Sequence, residues 1–267
     1  KDKGIQRFIF YLLSFILVSV FLSWIIPAYN EEHRIEKTIR EVSAFLRAKN
    51  FPGGFEIIVA NSASRDRTAD RVARLQKEIP ELQMLTLENK GKGWAVRQGM
   101  IHARGATRMF ADADNSVSPD HLDTFLPLLC MDAEGPRADC ADVVIGSIEV
   151  PGAQIQEHAQ WYRRMLGKLA KYVIRAVSGL YAIHDSQRGF KVFSRRAAET
   201  VFARQTLTGW GFDFEILLIA KIHGFRIREV PVCWINPPDS KVGVGAYATT
   251  LGELIRVKWN KMKGIYQ

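Results

Sequence analysis

The sequence predicts an α/β fold built on a mostly parallel, doubly wound sheet. Three observations carry that expectation. Short apolar runs alternate with amphipathic stretches of helical length through the first half of the chain. Glycine, proline and polar residues punctuate the joints, as at Pro52-Gly53-Gly54. Three runs end in chemically loaded residues, Pro27-Ala28-Tyr29, Asn61-Ser62 and Asp112-Ala113-Asp114; sheets of this kind bind ligands beyond the carboxyl ends of their strands. The 267 residues suffice for one large α/β domain, or for a domain with a small appendage.

Taken in order, Leu22 to Ile26 reads as the first strand and passes into a loop at Pro27-Ala28-Tyr29-Asn30-Glu31-Glu32. Arg34 to Lys49 is helical, with Ile35, Ile39, Val42 and Leu46 on one face. Phe55 to Ala60 is the second strand and Thr68 to Lys77 the second helix. Met84 to Leu87, Trp94 to Ala103 and Thr107 to Asp112 supply a third strand, a third helix and a fourth strand. Ser118-Pro119-Asp120 opens a further helix, with serine as N-cap and proline at the first position. Asp142 to Ser147 is a strand, and Pro151-Gly152 begins a loop. Trp161 to Leu180 forms an amphipathic helix in which Arg164, Lys168, Lys171 and Arg175 make a basic stripe beside Trp161, Met165, Leu169 and Tyr172. That pairing describes either a helix lying on an anionic membrane or a core-packed helix with solvated lysines. The polar turn His184 to Gly189 leads into a strand at Phe190. Gly209 to Glu215 follows one helix and opens another, Arg226 to Val232 is a strand, and Pro237 to Lys241 a loop. Leu251 to Lys263 is a last, basic amphipathic helix.

The chain carries 37 Lys and Arg against 28 Asp and Glu, a net charge of +9, which suits a polyanionic partner: nucleic acid, anionic lipid or a phosphorylated substrate. No nucleic-acid recognition motif is present and the basic residues interleave with a lipid-like face, so nucleic acid is set aside. Cys130, Cys140 and Cys233 form no close pair and no metal spacing, and read as ordinary buried thiols of a reducing compartment. Phe8 to Ala28 holds no charge over 21 positions, the length of a membrane span, but the first strand claims its end. Residues 1–21 therefore read as a membrane-anchor segment, either a tilted or truncated span or an in-plane anchor. A cleavable signal peptide is disfavoured, since no small-x-small site stands near the strand.

Asp112 and Asp114 stand one residue apart where the fourth apolar run stops. On a strand they share a face, where two carboxylates repel unless a cation sits between them. Hard Mg2+ or Mn2+, with oxygen ligands and substrate phosphates, is the usual solution. The same spacing also describes two solvated loop acids. Asn89-Lys90-Gly91-Lys92-Gly93 sets glycines and two lysines before a helix N-terminus, which suits a diphosphate cradle or a plain turn.

These motifs together resemble glycosyltransferase family 2 and, within it, the dolichyl-phosphate (polyprenyl-phosphate) glucosyltransferases. The matching segments run nearly end to end: the strand into Pro27 to Glu32, Asn89 to Gly93 with Ala95, Arg97 and Gly99, Asp112 to Asp114, Asp185 to Lys191, Trp210 to Glu215, Glu229 to Val232 with Trp234, and Ser240-Lys241. The resemblance implies a GT-A fold over residues 22–248. A nucleotide-sugar half would cover 22–118 and an acceptor half 119–248, with an interfacial helix at 161–180 and the basic helix at 249–267. By the same resemblance Pro27, Ala28, Tyr29, Glu31 and Asn61 meet the base and ribose of a nucleotide sugar. Lys90, Lys92, Asp112, Ala113 and Asp114 surround its diphosphate and the Mg2+ or Mn2+, with Asp112 and Asp114 as metal ligands. Arg163, Arg164, Gln187, Lys191 and Lys241 would meet an acceptor phosphate, while Asp185, Asp213 and Glu215 orient the sugar and the basic residues.

Two departures stand out. The family usually carries Asp-Asp-Gly-Ser after its second strand, where this chain reads Asn61-Ser62-Ala63-Ser64, so the base preference of the donor is open. The Gly-Ser-Arg that often follows the fifth strand is Gly146-Ser147-Ile148, which removes one phosphate ligand. The implied reaction is inverting transfer of a hexose, with UDP-glucose as the favoured donor, to a polyprenyl or dolichyl monophosphate at a membrane surface. The catalytic domain is expected on the cytoplasmic face, of the endoplasmic reticulum in a eukaryote or of the plasma membrane in a prokaryote. Alternatives are another donor (GDP-mannose or UDP-GlcNAc), a sugar-hydroxyl acceptor, or a weakened membrane-associated relic; a homo-oligomer is left open.

Overall fold

The computed structural model describes residues 20–130, 140–156, 172–235 and 244–267. β1 (Leu22–Ala28), β2 (Phe55–Ser62), β3 (Leu82–Leu87) and β4 (Thr107–Ala111) alternate with α1 (Ile35–Arg47), α2 (Thr68–Leu75) and α3 (Lys92–His102). A 3-10 turn at Pro119–His121 leads into the short α4 (Leu122–Phe125), followed by β5 (Val143–Ser147), β6 (Gln154–Gln156) and a helix α5 described over 172–178. Then come β7 (Phe190–Ser194), α6 (Arg195–Arg204), α7 (Phe212–Ile222), β8 (Ile227–Pro231), β9 (Cys233–Ile235) and α8 (Val244–Met262).

Seven strands form one sheet in the order β3-β2-β1-β4-β7-β5-β8, and β6 pairs with β9 in a small second sheet. All neighbours in the large sheet are parallel except β7, which runs antiparallel between β4 and β5. The central strands are buried on both sides because alternate side chains enter two cores. Ile25 and Phe110 join the core with α3, α6 and α7, while Trp24, Ile26 and Met109 join the core with α1, α2 and α4.

The expected doubly wound, mostly parallel sheet is present, with corrections. The antiparallel β7 and the β6–β9 pair were not foreseen. Ser118 occupies the N-cap position, but its side chain makes no cap hydrogen bond. The last helix begins at Val244 rather than Leu251. The reading of Cys130 and Cys140 as unpaired thiols is overturned, for they form a disulfide with Cα atoms 5.1 Å apart. Backbone bonds from Cys130 N to Ala141 O and from Ala141 N to Leu128 O, each 2.8 Å, bring the two chain segments together. The expected anchor apart from residues 20 and 21, the first part of the 161–180 helix with Arg163 and Arg164, and Lys241 lie outside the described residues. Among the described residues no helix is long and apolar enough to cross a membrane.

Candidate active site

The register of the sheet sets up the site. Ala28 pairs with Asn61 and Ala111 with Phe190, so β1, β2 and β4 end at the same level at which antiparallel β7 begins. A cavity of about 330 Å³ opens there, within the size range of small-molecule sites. Ala63 and Asn115, just past the ends of β2 and β4, and Asn30, past β1, have positive φ of 56°, 48° and 52°. Such backbone strain in residues with a Cβ is concentrated at functional loops.

The nucleotide-half wall is knitted from these strand ends. Pro27, Ala28, Tyr29 and Glu31 line it. Glu31 pairs with Arg34 at 2.8 Å, and Glu31 N donates to Thr68 Oγ1 at 2.8 Å. Lys90 lies over the Tyr29 ring, 4.1 Å from its centroid, and its hydrogen bond to the phenol holds Tyr29 below its ordinary pKa. Ser62, at one of the departures, fixes the loop before α3: its Oγ donates to Asn89 O at 2.7 Å and accepts from Gly91 N at 3.0 Å. Gly91 is required twice over, since its φ is +152° and a Cβ would stand 2.4 Å from Thr208 O. Asn61 is buried behind the cavity lining, with Oδ1 lacking a hydrogen-bond partner among the described residues.

Asp112, Ala113 and Asp114 form the floor. Lys92 Nζ reaches Asp112 Oδ1 at 2.7 Å. Burial opposes charge on Lys92, but Asp112, Asp213 and Asp114 outweigh it and hold the ammonium above its ordinary pKa. Asp114 Oδ1 accepts from Ser116 N and Oγ at 2.9 and 2.6 Å, and its Oδ2 is 3.9 Å from Arg34. Each carboxylate thus keeps one oxygen free of hydrogen bonds among the described residues. Gly189 backs Asp112 so closely that a Cβ would stand 2.1 Å from Oδ2, and Asp112 N donates to Gly189 O at 3.1 Å. Two open carboxylate oxygens fit a hard divalent cation that draws its other ligands from substrate phosphate and water. Among the described residues no group of three or more His, Cys, Asp or Glu could hold a metal by itself.

The acceptor-half wall contains Gln187, Arg188, Gly189, Trp210 and Trp234. Of the residues expected there, Gln187 lines the cavity, whereas Lys191 does not. The alternation of β7 turns Lys191 into the core, fully buried, where Nζ is taken by Asp213 and by the Arg188 carbonyl. Burial pushes the Asp213 carboxyl up against the opposing pull of Lys191 and Lys92. Glu215 is also fully buried behind the wall. It accepts from Thr206 N and Oγ1, Leu207 N and Tyr266 OH, at 2.6 to 3.0 Å, and so holds the loop before α7. Asp185 is buried as well, and its Oδ2 accepts from Arg188 Nε at 2.9 Å and Ile148 N at 3.3 Å. Ile148 is the second departure, and the Arg188 guanidinium converges on the same oxygen. Sequence reasoning missed Arg34, Arg188, Trp210 and Trp234 as site residues. The Asp185-x-x-Arg188 spacing inside a motif already singled out was the available signal.

Comparison with known proteins agrees with this architecture. A dolichyl-phosphate beta-glucosyltransferase (ALG5A) of Trichomonas vaginalis is 32% identical over 243 residues, covering 90% of this chain and 73% of that protein. The dolichyl-phosphate beta-glucosyltransferase of Homo sapiens is 30% identical, covering 83% of this chain and 69% of that protein. Among solved structures, glucosyl-3-phosphoglycerate synthase from Mycobacterium tuberculosis in complex with Mn2+ and UDP-glucose superposes with a TM-score of 0.62 at 18% identity, over 89% of this chain and 79% of the other. That likeness bears out the expected GT-A fold. The family description matching residues 23–202 is glycosyl transferase family 2, and it is to this family that the chain belongs.

Proposed function

We propose that the chain transfers a glucosyl residue from UDP-glucose to a polyprenyl or dolichyl monophosphate at a membrane surface. The observation that carries the reading is the convergence of Asp112, Asp114 and Lys92 on one cavity floor, together with relatives named dolichyl-phosphate beta-glucosyltransferases. Asp112 and Asp114 would hold Mg2+ or Mn2+, which when bound supplies positive charge beside the donor diphosphate. Lys92, kept protonated by its carboxylate neighbours, adds a fixed cation at the same place. Tyr29 and Glu31 meet the nucleoside at the cavity wall, while Asn61 is buried behind that wall and does not line the cavity. An oxygen of the acceptor phosphate forms the new bond to the anomeric carbon, the bond from that carbon to the diphosphate oxygen breaks, and UDP departs with the electron pair. A phosphate monoester has its second pKa near about 6 and arrives largely deprotonated, so the buried Asp185, Asp213 and Glu215 are not needed as bases.

The lipid acceptor requires the cavity to work beside a bilayer. α8 supports that placement. Leu254 and Val257 are buried against the domain, while Leu251, Ile255, Trp259 and Met262 form a second, exposed apolar stripe beside Arg256, Lys258 and Lys261. An apolar stripe flanked by cations suits an anionic lipid surface.

The test is transfer of label from UDP-glucose, UDP-GlcNAc and GDP-mannose in turn to a polyprenyl phosphate with Mn2+. Labelled lipid from UDP-glucose is expected, falling by about 10²–10³-fold in Asp114→Asn. Transfer from another donor only would overturn the glucose assignment, and undiminished transfer by the variant would overturn the role of the floor carboxylates.

A further inference from the structure

We propose that Arg188, braced by Asp185 and Trp234, forms the subsite for the phosphomonoester head of the acceptor. The inference rests on the transferase reading above and adds to it the cation that receives the acceptor.

The geometry is that of a prepared anion site. Arg188 lines the cavity and is only partly exposed, at 19% of its side chain. Its Nε donates to Asp185 Oδ2 at 2.9 Å, and that carboxylate is completely buried. Asp185 is itself fixed from behind, because its backbone N donates to Glu229 Oε1 at 2.8 Å. The guanidinium carbon lies 4.3 Å from the centroid of Trp234, and Trp234 is held in place by its bridge to Val117. One nitrogen and one face of the guanidinium are thereby spent on the protein. The two terminal nitrogens have no protein partner among the described residues. A planar fork with a braced stem and open terminal N–H groups is the arrangement that binds phosphate oxygens bidentately.

The other cations of the cavity are committed on the nucleotide side. Lys92 is paired with Asp112, Arg34 with Glu31, and Lys90 lies on Tyr29. Arg188 enters from the opposite half of the chain, at the start of antiparallel β7, and Gly189 sets it next to Asp112. An acceptor phosphate needs a cation that the donor diphosphate does not already occupy, and among the described cations of the cavity Arg188 is the one whose terminal N–H groups are open. Brace and stacking also reduce the side-chain entropy that binding would otherwise cost.

The test combines binding and kinetics in the full chain. Wild type, Arg188→Lys and Arg188→Ala are titrated with a short-chain prenyl monophosphate, the matching prenyl alcohol and inorganic phosphate, with UDP affinity measured in parallel. Wild type is expected to bind the prenyl monophosphate at least tenfold more tightly than the alcohol or inorganic phosphate. Arg188→Ala loses that preference, Arg188→Lys keeps part of it, and UDP affinity changes less than twofold in both. In the transfer assay the KM for lipid phosphate rises at least tenfold in Arg188→Ala while the KM for donor stays put. Unchanged monophosphate binding in Arg188→Ala, or an equal loss of UDP affinity, overturns the subsite. Inorganic phosphate binding as tightly as the prenyl phosphate overturns its assignment to a lipid head. Monophosphate binding that depends on Arg188 in a protein that transfers no sugar would instead uphold the subsite and sink the transferase reading.

Discussion

Glu56 stands at the start of β2, at the opposite end of the sheet from the cavity, and shows how a buried charge is kept. Ser23 Oγ and Arg104 N donate to Oε1 at 2.6 and 2.7 Å, while the Arg104 guanidinium and Gln83 Nε2 reach Oε2 at 2.9 and 3.1 Å. Burial alone would raise this carboxyl; the donors outweigh it and hold the pKa below the ordinary value. A depressed acid stabilises the fold above its unfolded pKa of about 4.3, and loses that contribution as pH falls through the folded pKa. Glu56→Gln is therefore expected to cost about 2 kcal/mol at neutral pH, with the gap to wild type closing in denaturant titrations repeated at progressively lower acid pH. A gap independent of pH would place the effect in packing rather than charge. At this scale the sequence was informative where function is local: Asp112-Ala113-Asp114 and Pro27 to Glu31 were legible because the strand end that carries them also presents them. Lys191, Glu215 and Arg188 were not, because only the pairing of β7 and the closure of the 206–211 loop decide which of them face the core and which the cavity.

That loop is the element through which the cavity and the surface helix meet. Gly211 N donates to Glu253 Oε2 on α8 at 2.7 Å, and a Cβ on Gly209 would stand 2.2 Å from Glu253 Oε1. On its other side, the loop accepts from the α3 N-terminus, through Gly93 N to Gly209 O at 3.2 Å and Trp94 N to Thr208 O at 3.1 Å. Between these anchors Trp210 lines the cavity, with Lys92 Nζ 5.3 Å from its ring centroid. Burial pushes the Glu253 carboxyl up, against the Gly211 N–H that favours its charge. Glu253→Ala is expected to loosen the loop and lower kcat/KM for the nucleotide sugar by about tenfold, with Glu253→Gln, which keeps an acceptor oxygen, restoring most of it. Equal loss in both variants would point to charge rather than the hydrogen bond. The strands of the first half were readable as short apolar runs between turn residues, and α1 and α2 from the periodicity of the apolar face each buries. The antiparallel insertion of β7, the β6–β9 pair and the Cys130–Cys140 disulfide depend on contacts between segments whose local patterns do not name their partners.

For the whole molecule, one sheet gathers the ends of several strands around a cavity with carboxylates on its floor, and one exposed helix face carries apolar and basic residues. If α8 contributes to docking, Ile255→Asp combined with Trp259→Ala should weaken binding to vesicles containing anionic lipid by about tenfold or more, with UDP binding unchanged; equal binding of both proteins would move the attachment elsewhere. The central claim is chemical: direct displacement at the anomeric carbon by a lipid phosphate. The most direct measurement is the anomeric configuration and linkage of the lipid product formed from UDP-α-glucose, read by NMR. A β-glucosyl phosphate ester is the predicted product, the outcome of a single inversion by phosphate attack. An α-linked product, or glucose attached to a hydroxyl group, would contradict the account.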